Sequence, residues 1–287
     1  MNLTNLFTKI IVCIISIQRK EAAEVVWPEE LSLSIGSEMR VESKTLYFTL
    51  CSRALDKSFS DPIAAQILDK NKEIIKFAPD PLTRKFIVNR AGYFDDCVKI
   101  MARKNTQNKS CLVNLGGGLC SRFFRVRNSI DYSIHLDLPE VIDLVENTMP
   151  QTADHLIKAD LNSTSWHQEI KSVAPKEHLP IFTMEGVSMY LQKDSLDSLF
   201  ESLPKLFPSG HIIVDLLHPF FSNKSYLVRS VKMVDASFSS GIASTAEILK
   251  CSSALQLVDS KTPYLPNFLN KKMSLNLYQI ATFSWGH

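Results

Sequence analysis

Residues 111–140 read CLVNLGGGLC SRFFRVRNSI DYSIHLDLPE, and the order of features in that stretch decides the fold. The apolar run Cys111-Leu112-Val113-Asn114-Leu115 stops at Gly116-Gly117-Gly118, and a second run, Tyr132-Ser133-Ile134-His135-Leu136, stops at Asp137. A short apolar run ending in glycine is a strand entering a tight turn. The acid follows the first glycine by about 20 residues, the length of a β-α-β unit that brings a carboxylate to the carboxyl edge of the neighbouring strand, where a ribose could lie. Glycine permits positive φ, and its missing Cβ lets a ligand approach the main chain. A helix starting just after the turn would point free N–H groups and its positive end at an anionic group. Three glycines alone would also serve a loop that only turns the chain; the acid in register favours half of a nucleoside site.

Working outward, three more apolar runs end in acids. His155-Leu156-Ile157-Lys158-Ala159 leads to Asp160-Leu161-Asn162, Leu179 to Met184 leads to Glu185-Gly186, and His211-Ile212-Ile213-Val214 leads to Asp215. Helical patterns lie between or before them: Leu46, Leu50, Ala54 and Leu55, a restart at Asp61-Pro62, a stripe from Thr83 to Met101, Val141 to Asn147, and a segment carrying Leu196 to Leu203 with Asp194 as its expected cap. Short apolar runs alternating with helices predict an α/β fold, a doubly wound parallel sheet whose ligand lies outside the carboxyl ends of the strands. Asp137, Asp160 and Glu185 are therefore read as site residues, and Asp215 as a turn or cap residue. A helix near Ala246 to Cys251, a strand at Leu255 to Val258 and an antiparallel edge hairpin at Leu275 to Phe283 are expected to close the chain.

Two arginines stand beside apolar faces. Arg53 is paired with Lys57 four residues on, and Arg90 lies within the 83–101 stripe. Each is either a solvated or snorkelling side chain or the border of an anion site. His135, two residues before Asp137, reads as a strand residue rather than a base. The irregular stretch from His218 to Ser244 is a candidate lid over a substrate pocket. At the other end, Leu6 to Ile17 is apolar but interrupted by Lys9, too short for a stable membrane span. It is read as a helix packing on the domain, with an export signal or membrane contact as alternatives.

Composition bounds the function. The 287 residues, 45% hydrophobic and 22% charged, suit a globular enzyme-sized core. A net charge of +2 and basic pairs without interleaved aromatics give no reason to expect nucleic acid. The six cysteines include no C-x-x-C pair, and the seven histidines form no H-E-x-x-H. A zinc site and a disulfide framework are not expected, and reduced thiols point to the cytoplasm.

The blocks Val113-Asn114-Leu115-Gly116-Gly117-Gly118-Leu119-Cys120-Ser121-Arg122, Asp137-Leu138-Pro139-Glu140-Val141 and Glu185-Gly186-Val187-Ser188-Met189-Tyr190-Leu191 resemble the leucine carboxyl methyltransferase family. That family also contains bacterial-type O-methyltransferases associated with polyketide synthesis. Ser52-Arg53-Ala54, Ser60-Asp61-Pro62 and Arg90 with Phe94-Asp95-Asp96 resemble its N-terminal blocks, so the likeness runs from about Thr45 to Asp215. It implies a mostly parallel, seven-stranded, Rossmann-like class I fold using S-adenosylmethionine, with an N-terminal extension over 1–44 and the methyltransferase domain over 45–287. The lid insertion would occupy about 218–244. Position by position, it implies Gly116 and Gly118 under the methionine part, Arg53 and Arg90 on its carboxylate, and Asp137 on the ribose. Asp160 with Leu161 would meet the adenine, and Glu185 the amino group. Cys120-Ser121 replace the family's usual Asp-Thr pair, and Gly92 stands where many relatives have a second arginine.

The expected reaction is O-methylation of a small-molecule or peptide C-terminal carboxylate. A carboxylate, with a pKa of about 4, is already ionised and needs no base, whereas a phenol near 10 would benefit from one. Tyr190 either orients an acceptor or serves packing. A non-catalytic homologue that kept the nucleoside pocket, and a dinucleotide oxidoreductase, are the competing readings. Ser121-Arg122 fits the second poorly, since a pyrophosphate fingerprint wants a third small residue there.

Overall fold

In the computed structural model, which describes residues 42–105, 109–150, 153–222, 237–262 and 277–286, one seven-stranded sheet organises the chain. Its strands are β1 (Lys109–Leu115), β2 (Tyr132–Asp137), β3 (His155–Lys158), β4 (His178–Met184), β5 (Gly210–Leu217), β6 (Gln256–Lys261) and β7 (Tyr278–Trp285), in the spatial order β3-β2-β1-β4-β5-β7-β6. The first five pair in parallel; β7 pairs antiparallel with both β5 and β6. The chain order reverses at β1, with β2 and β3 on one side and β4 and β5 on the other, so the crevice beyond the end of β1 is the topological switch point.

Period-two alternation shares the strand residues between two layers. Cys111, Val113 and Leu115 face α6 (Trp166–Val173), α7 (Lys193–Leu206) and α8 (Thr245–Cys251), whose Trp166, Leu196, Phe200 and Ile248 are buried. Leu112, Ile181 and Ile213 instead pack with Phe94, Val98 and Met101 of α3 (Pro81–Lys104). A third cluster joins α1 (Leu46–Leu55), α2 (Pro62–Lys70) and α5 (Pro139–Thr148) through Leu50, Ile67 and Leu144. β5 is buried along its whole length, Asp215 within it included, as befits a strand inside the sheet.

The helix starts follow from local chemistry. Asp61 accepts the Ala64 amide before Pro62, and Asp80 accepts the amides of Leu82 and Thr83 before Pro81, each proline filling a position whose N–H would go unused. The expected cap at Asp194 is a correction: α7 begins at Lys193 after Gln192, and Asp194 lies in its first turn, where a negative charge meets the helix dipole. The expected antiparallel pair forms at the sheet edge between β6 and β7. β7 is an interior strand between β5 and β6, and the solvent edge belongs to β6, exposed along its length.

The N-terminal reading, over residues 1–41, and the centre of the lid reading, residues 223–236, lie outside the described residues. No helix among the described residues is long and apolar enough to cross a membrane, and none of their groups of acids, histidines and cysteines could hold a metal ion.

Candidate functional site

The turn after β1 is built as its glycines dictate. Gly116 and Gly118 have φ of +65° and +53°, and the Gly116 amide donates to the Leu136 carbonyl at 2.8 Å, tying the turn to β2. Gly117 is needed for space, because a Cβ there would sit 2.4 Å from His135 Cε1. The Gly118 amide donates to Asp137 Oδ2 and the Leu138 amide to Oδ1, both at 2.7 Å. Burial nevertheless pushes the Asp137 carboxyl up to about 6, the two amide bonds offsetting only part of that cost. Each Asp137 oxygen keeps acceptor capacity beyond its one amide. Beneath the turn, burial pulls His135 down to about 4, so it is neutral at pH 7, and its Nε2 has no hydrogen-bond partner among the described residues. It is a strand residue, as expected.

A cavity of about 340 Å³ opens at the switch point. Gly116, Gly118, Asp137, Asp160 and Leu161 line it on the β2 and β3 side; Arg90, Glu185 and Tyr190 line it on the β4 side. The three strand-end acids therefore share one cleft. Asp160 takes the Asn162 amide at 2.9 Å, which shapes the turn that sets Leu161 beside it. Ser239 also reaches the cavity lining: its amide, like that of Ser240, donates to the Met189 carbonyl, and Phe238 packs on the Tyr190 ring at 5.6 Å.

Arg53 is not in that lining. Its Nε donates to Asp61 at 2.9 Å and its Nη2 to the Leu119 carbonyl at 2.6 Å, so the guanidinium braces the far end of the glycine loop. With Cys120, Arg122 and parts of Arg90 and Glu185 it borders a recess of about 40 Å³ beside the cavity.

The β4 side rests on buried ion pairs that the sequence reading missed. Glu185 Oε1 accepts Arg90 Nε at 2.9 Å, and Oε2 accepts Arg122 Nη2. Arg122 also donates from Nε to Asp95 at 2.9 Å and lies over the Phe94 ring, and Arg125 joins Asp95 to Asp61. Burial would raise the Glu185 carboxyl, but Arg90 and Arg122 outweigh it and hold the group at about 2. Arg122 and Arg125 stand three apart on one face of α4 (Arg122–Val126), a spacing visible in the sequence. Their acids lie 27 to 64 residues away along the chain, where no local pattern points. The helix after the glycine turn is short: α4 has five residues and runs into a 3₁₀ turn.

Asp215 is the clearest correction. It neither caps a helix nor closes a turn: it lies inside β5, fully buried. Its two oxygens accept the Gly186 amide at 2.9 and 2.8 Å, one takes the Tyr278 hydroxyl, and Arg90 Nη1 lies 3.4 Å away.

Comparison with known proteins shows the family and the fold. A Mycobacterium marinum protein, named as a candidate S-adenosyl-L-methionine-dependent methyltransferase, is 28% identical over 143 residues. The match covers 46% of this chain and 45% of that one, so it spans less than half the length of the relative. Among solved structures, a DUF574-family protein from Streptomyces avermitilis superposes with a TM-score of 0.56 at 11% identity, covering 86% of this chain and all of the other. The fold is the class I methyltransferase fold. Residues 47–203, more than half of the chain, match the leucine carboxyl methyltransferase family, and the chain belongs to it; the cofactor of the family is S-adenosylmethionine.

Proposed function

We propose that the protein is an S-adenosylmethionine-dependent O-methyltransferase acting on a carboxylate. The observation that carries this reading is the convergence of Asp137, Asp160 and Glu185 with the Gly116–Gly118 turn on one cavity. The residues present fit the cofactor. The positive-φ glycines leave main chain without Cβ atoms at the cavity wall. Asp137, with acceptor capacity to spare, suits the donors of a ribose diol. A carboxylate and a guanidinium side by side, Glu185 and Arg90, suit the two charged ends of an amino acid.

When bound, S-adenosylmethionine supplies an electrophilic methyl group, and the protein supplies alignment. In this reading Asp137 accepts from the ribose hydroxyls, and Asp160 with Leu161 borders the adenine. Glu185 accepts from the ammonium, and Arg90 donates to the carboxylate. Arg53 contributes by holding the loop through the Leu119 carbonyl, one step removed. No histidine, lysine or cysteine lines the cavity among the described residues. Asp137, whose carboxyl burial pushes up to about 6, is engaged with the turn. An acceptor that arrives ionised, a carboxylate on a small molecule or a peptide C-terminus, suits a site without a base. Tyr190 would orient it, and the free thiols support the cytoplasm as the compartment.

Cys120 in the place of the family's usual acid favours a second reading, a nucleoside-binding homologue without transferase activity. Calorimetry with S-adenosylmethionine, S-adenosylhomocysteine and NAD, followed by a screen of carboxylate acceptors with labelled cofactor, separates the readings. The enzyme binds both sulfur nucleosides and labels an acceptor. Binding without transfer across the screen selects the second reading, and preference for NAD overturns both.

A further inference from the structure

We propose that Asp215 is a positioning residue for this cavity, holding the Arg90 guanidinium and the Gly186 turn in the orientation that presents Arg90 and Glu185 to the ligand. The inference rests on the reading of the cavity as a cofactor site.

Asp215 is not part of the cavity lining, yet three groups that contact it bear on that lining or belong to it. Gly186, immediately after Glu185, has φ +71°, a conformation natural to glycine, and both oxygens of Asp215 hold its amide. A Cβ on Gly186 would come within 3.1 Å of Arg90 Nη2, so the guanidinium lies directly against that turn. Arg90 itself spans two acids: its Nε meets Glu185 in the cavity wall at 2.9 Å, and its Nη1 meets Asp215 behind the wall at 3.4 Å. A planar guanidinium anchored at one end could swing about that contact; a second anchor fixes its plane.

Tyr278 completes the bracket. Its hydroxyl donates to Asp215 Oδ2 and accepts from Arg90 Nη1 at 3.3 Å, while its ring meets Phe86 edge-on at 5.1 Å. The anchor thus reaches the antiparallel strand β7, and a buried carboxylate, costly unless paired, is retained with every oxygen in use. A packing role would be met equally by a neutral residue of the same shape. The charge, the double amide contact and the link to Arg90 are what an isosteric amide would lose.

The test uses the full chain with Asp215→Asn, Tyr278→Phe and Arg90→Lys, singly and with Asp215→Asn placed on Arg90→Lys. It reads S-adenosylhomocysteine affinity by calorimetry and, without ligand, the NMR resonances of the Arg90 Nε–H and the Gly186 amide. Asp215→Asn is expected to move both resonances and to weaken the nucleoside by about tenfold to a hundredfold, with Tyr278→Phe shifting both in the same direction by less. On the Arg90→Lys background the same change should cost no more than about twofold, because two residues acting through one contact are not additive. Affinity within about twofold of wild type in a folded Asp215→Asn protein, or full additivity with Arg90→Lys, overturns the proposal. If Asp215→Asn does not fold, Tyr278→Phe is judged by the same criteria. Should the wild-type protein bind no sulfur nucleoside, the cofactor reading fails by itself. An unmoved Arg90 Nε–H resonance in Asp215→Asn would then separately refute the positioning role.

Discussion

Asp137 and Glu185 stand at the ends of β2 and β4, on either side of the same glycine turn, and the protein treats them in opposite ways. Asp137 is held by two main-chain amides and, among the described residues, no cation, and its carboxyl rises to about 6. Glu185 is gripped by Arg90 and Arg122, and its carboxyl falls to about 2. The difference teaches that the two halves of the cavity are prepared for different work. The β4 side has its charges paired before any ligand arrives, whereas the β2 side holds a carboxylate that gains from every further donor.

The largest effect expected from breaking this contrast is on stability. Glu185→Gln leaves Arg90 and Arg122 each short of a buried counter-charge, and removing one partner of a buried pair costs about 3 kcal/mol or more. Chemical denaturation should show the midpoint falling accordingly; an unchanged midpoint would mean that Asp95 and Asp215 suffice to neutralise the cluster. On the other side, Asp137→Ala should leave the protein folded and weaken S-adenosylhomocysteine by about 2 to 3 kcal/mol, since the hydrogen bonds lost are to a charged group. Calorimetry that finds undiminished affinity would remove the ribose from that side of the cavity.

The pH dependences should also diverge. The depressed Glu185 contributes stability that is complete above its ordinary 4.5 and is lost as pH falls toward 2. The raised Asp137 does the reverse, since the folded state holds its proton more tightly than the unfolded chain, and its contribution declines as pH rises from 3.8 to about 6. Hydroxyl donors favour the ionised carboxylate, so nucleoside binding near pH 6 should release protons, seen as heats that depend on the ionisation enthalpy of the buffer. Heats independent of buffer there would exclude Asp137 as the group that senses the ligand. The smallest effect is a control that touches neither side. Gly92→Ala, in the middle of α3, places a methyl 3.6 Å from Phe59 Cε2, ordinary contact, and should stabilise the helix by up to about 1 kcal/mol without altering affinity. Lost stability in thermal melts would show that the groove beside Gly92 tolerates no added atom.

Much of the β2 side was legible in the chain itself. A strand, a glycine turn that only positive φ allows, and an acid one β-α-β length later are all local or nearly local signals, and they located Gly116, Gly118 and Asp137. Asp160 and Glu185 followed from the same rule. The β4 side was far less legible. Arg90 showed as an arginine on an apolar stripe, but nothing nearby named Glu185, 95 residues on, as its partner. In the sequence Asp215 reads as one more strand-end acid, a turn residue; its contacts with Gly186, Tyr278 and Arg90 exist only in the folded chain.

The sequence by itself thus determined the glycine turn after the first strand and the acids at the strand ends, because backbone geometry and hydrophobic period act over a few residues. Only the tertiary structure decided which charges pair, and so which carboxylate is held ionised and which is held near neutrality. Coulomb energies depend on distances and dielectric set by elements up to 188 residues apart, as for Arg90 and Tyr278, and no spacing along the chain encodes them.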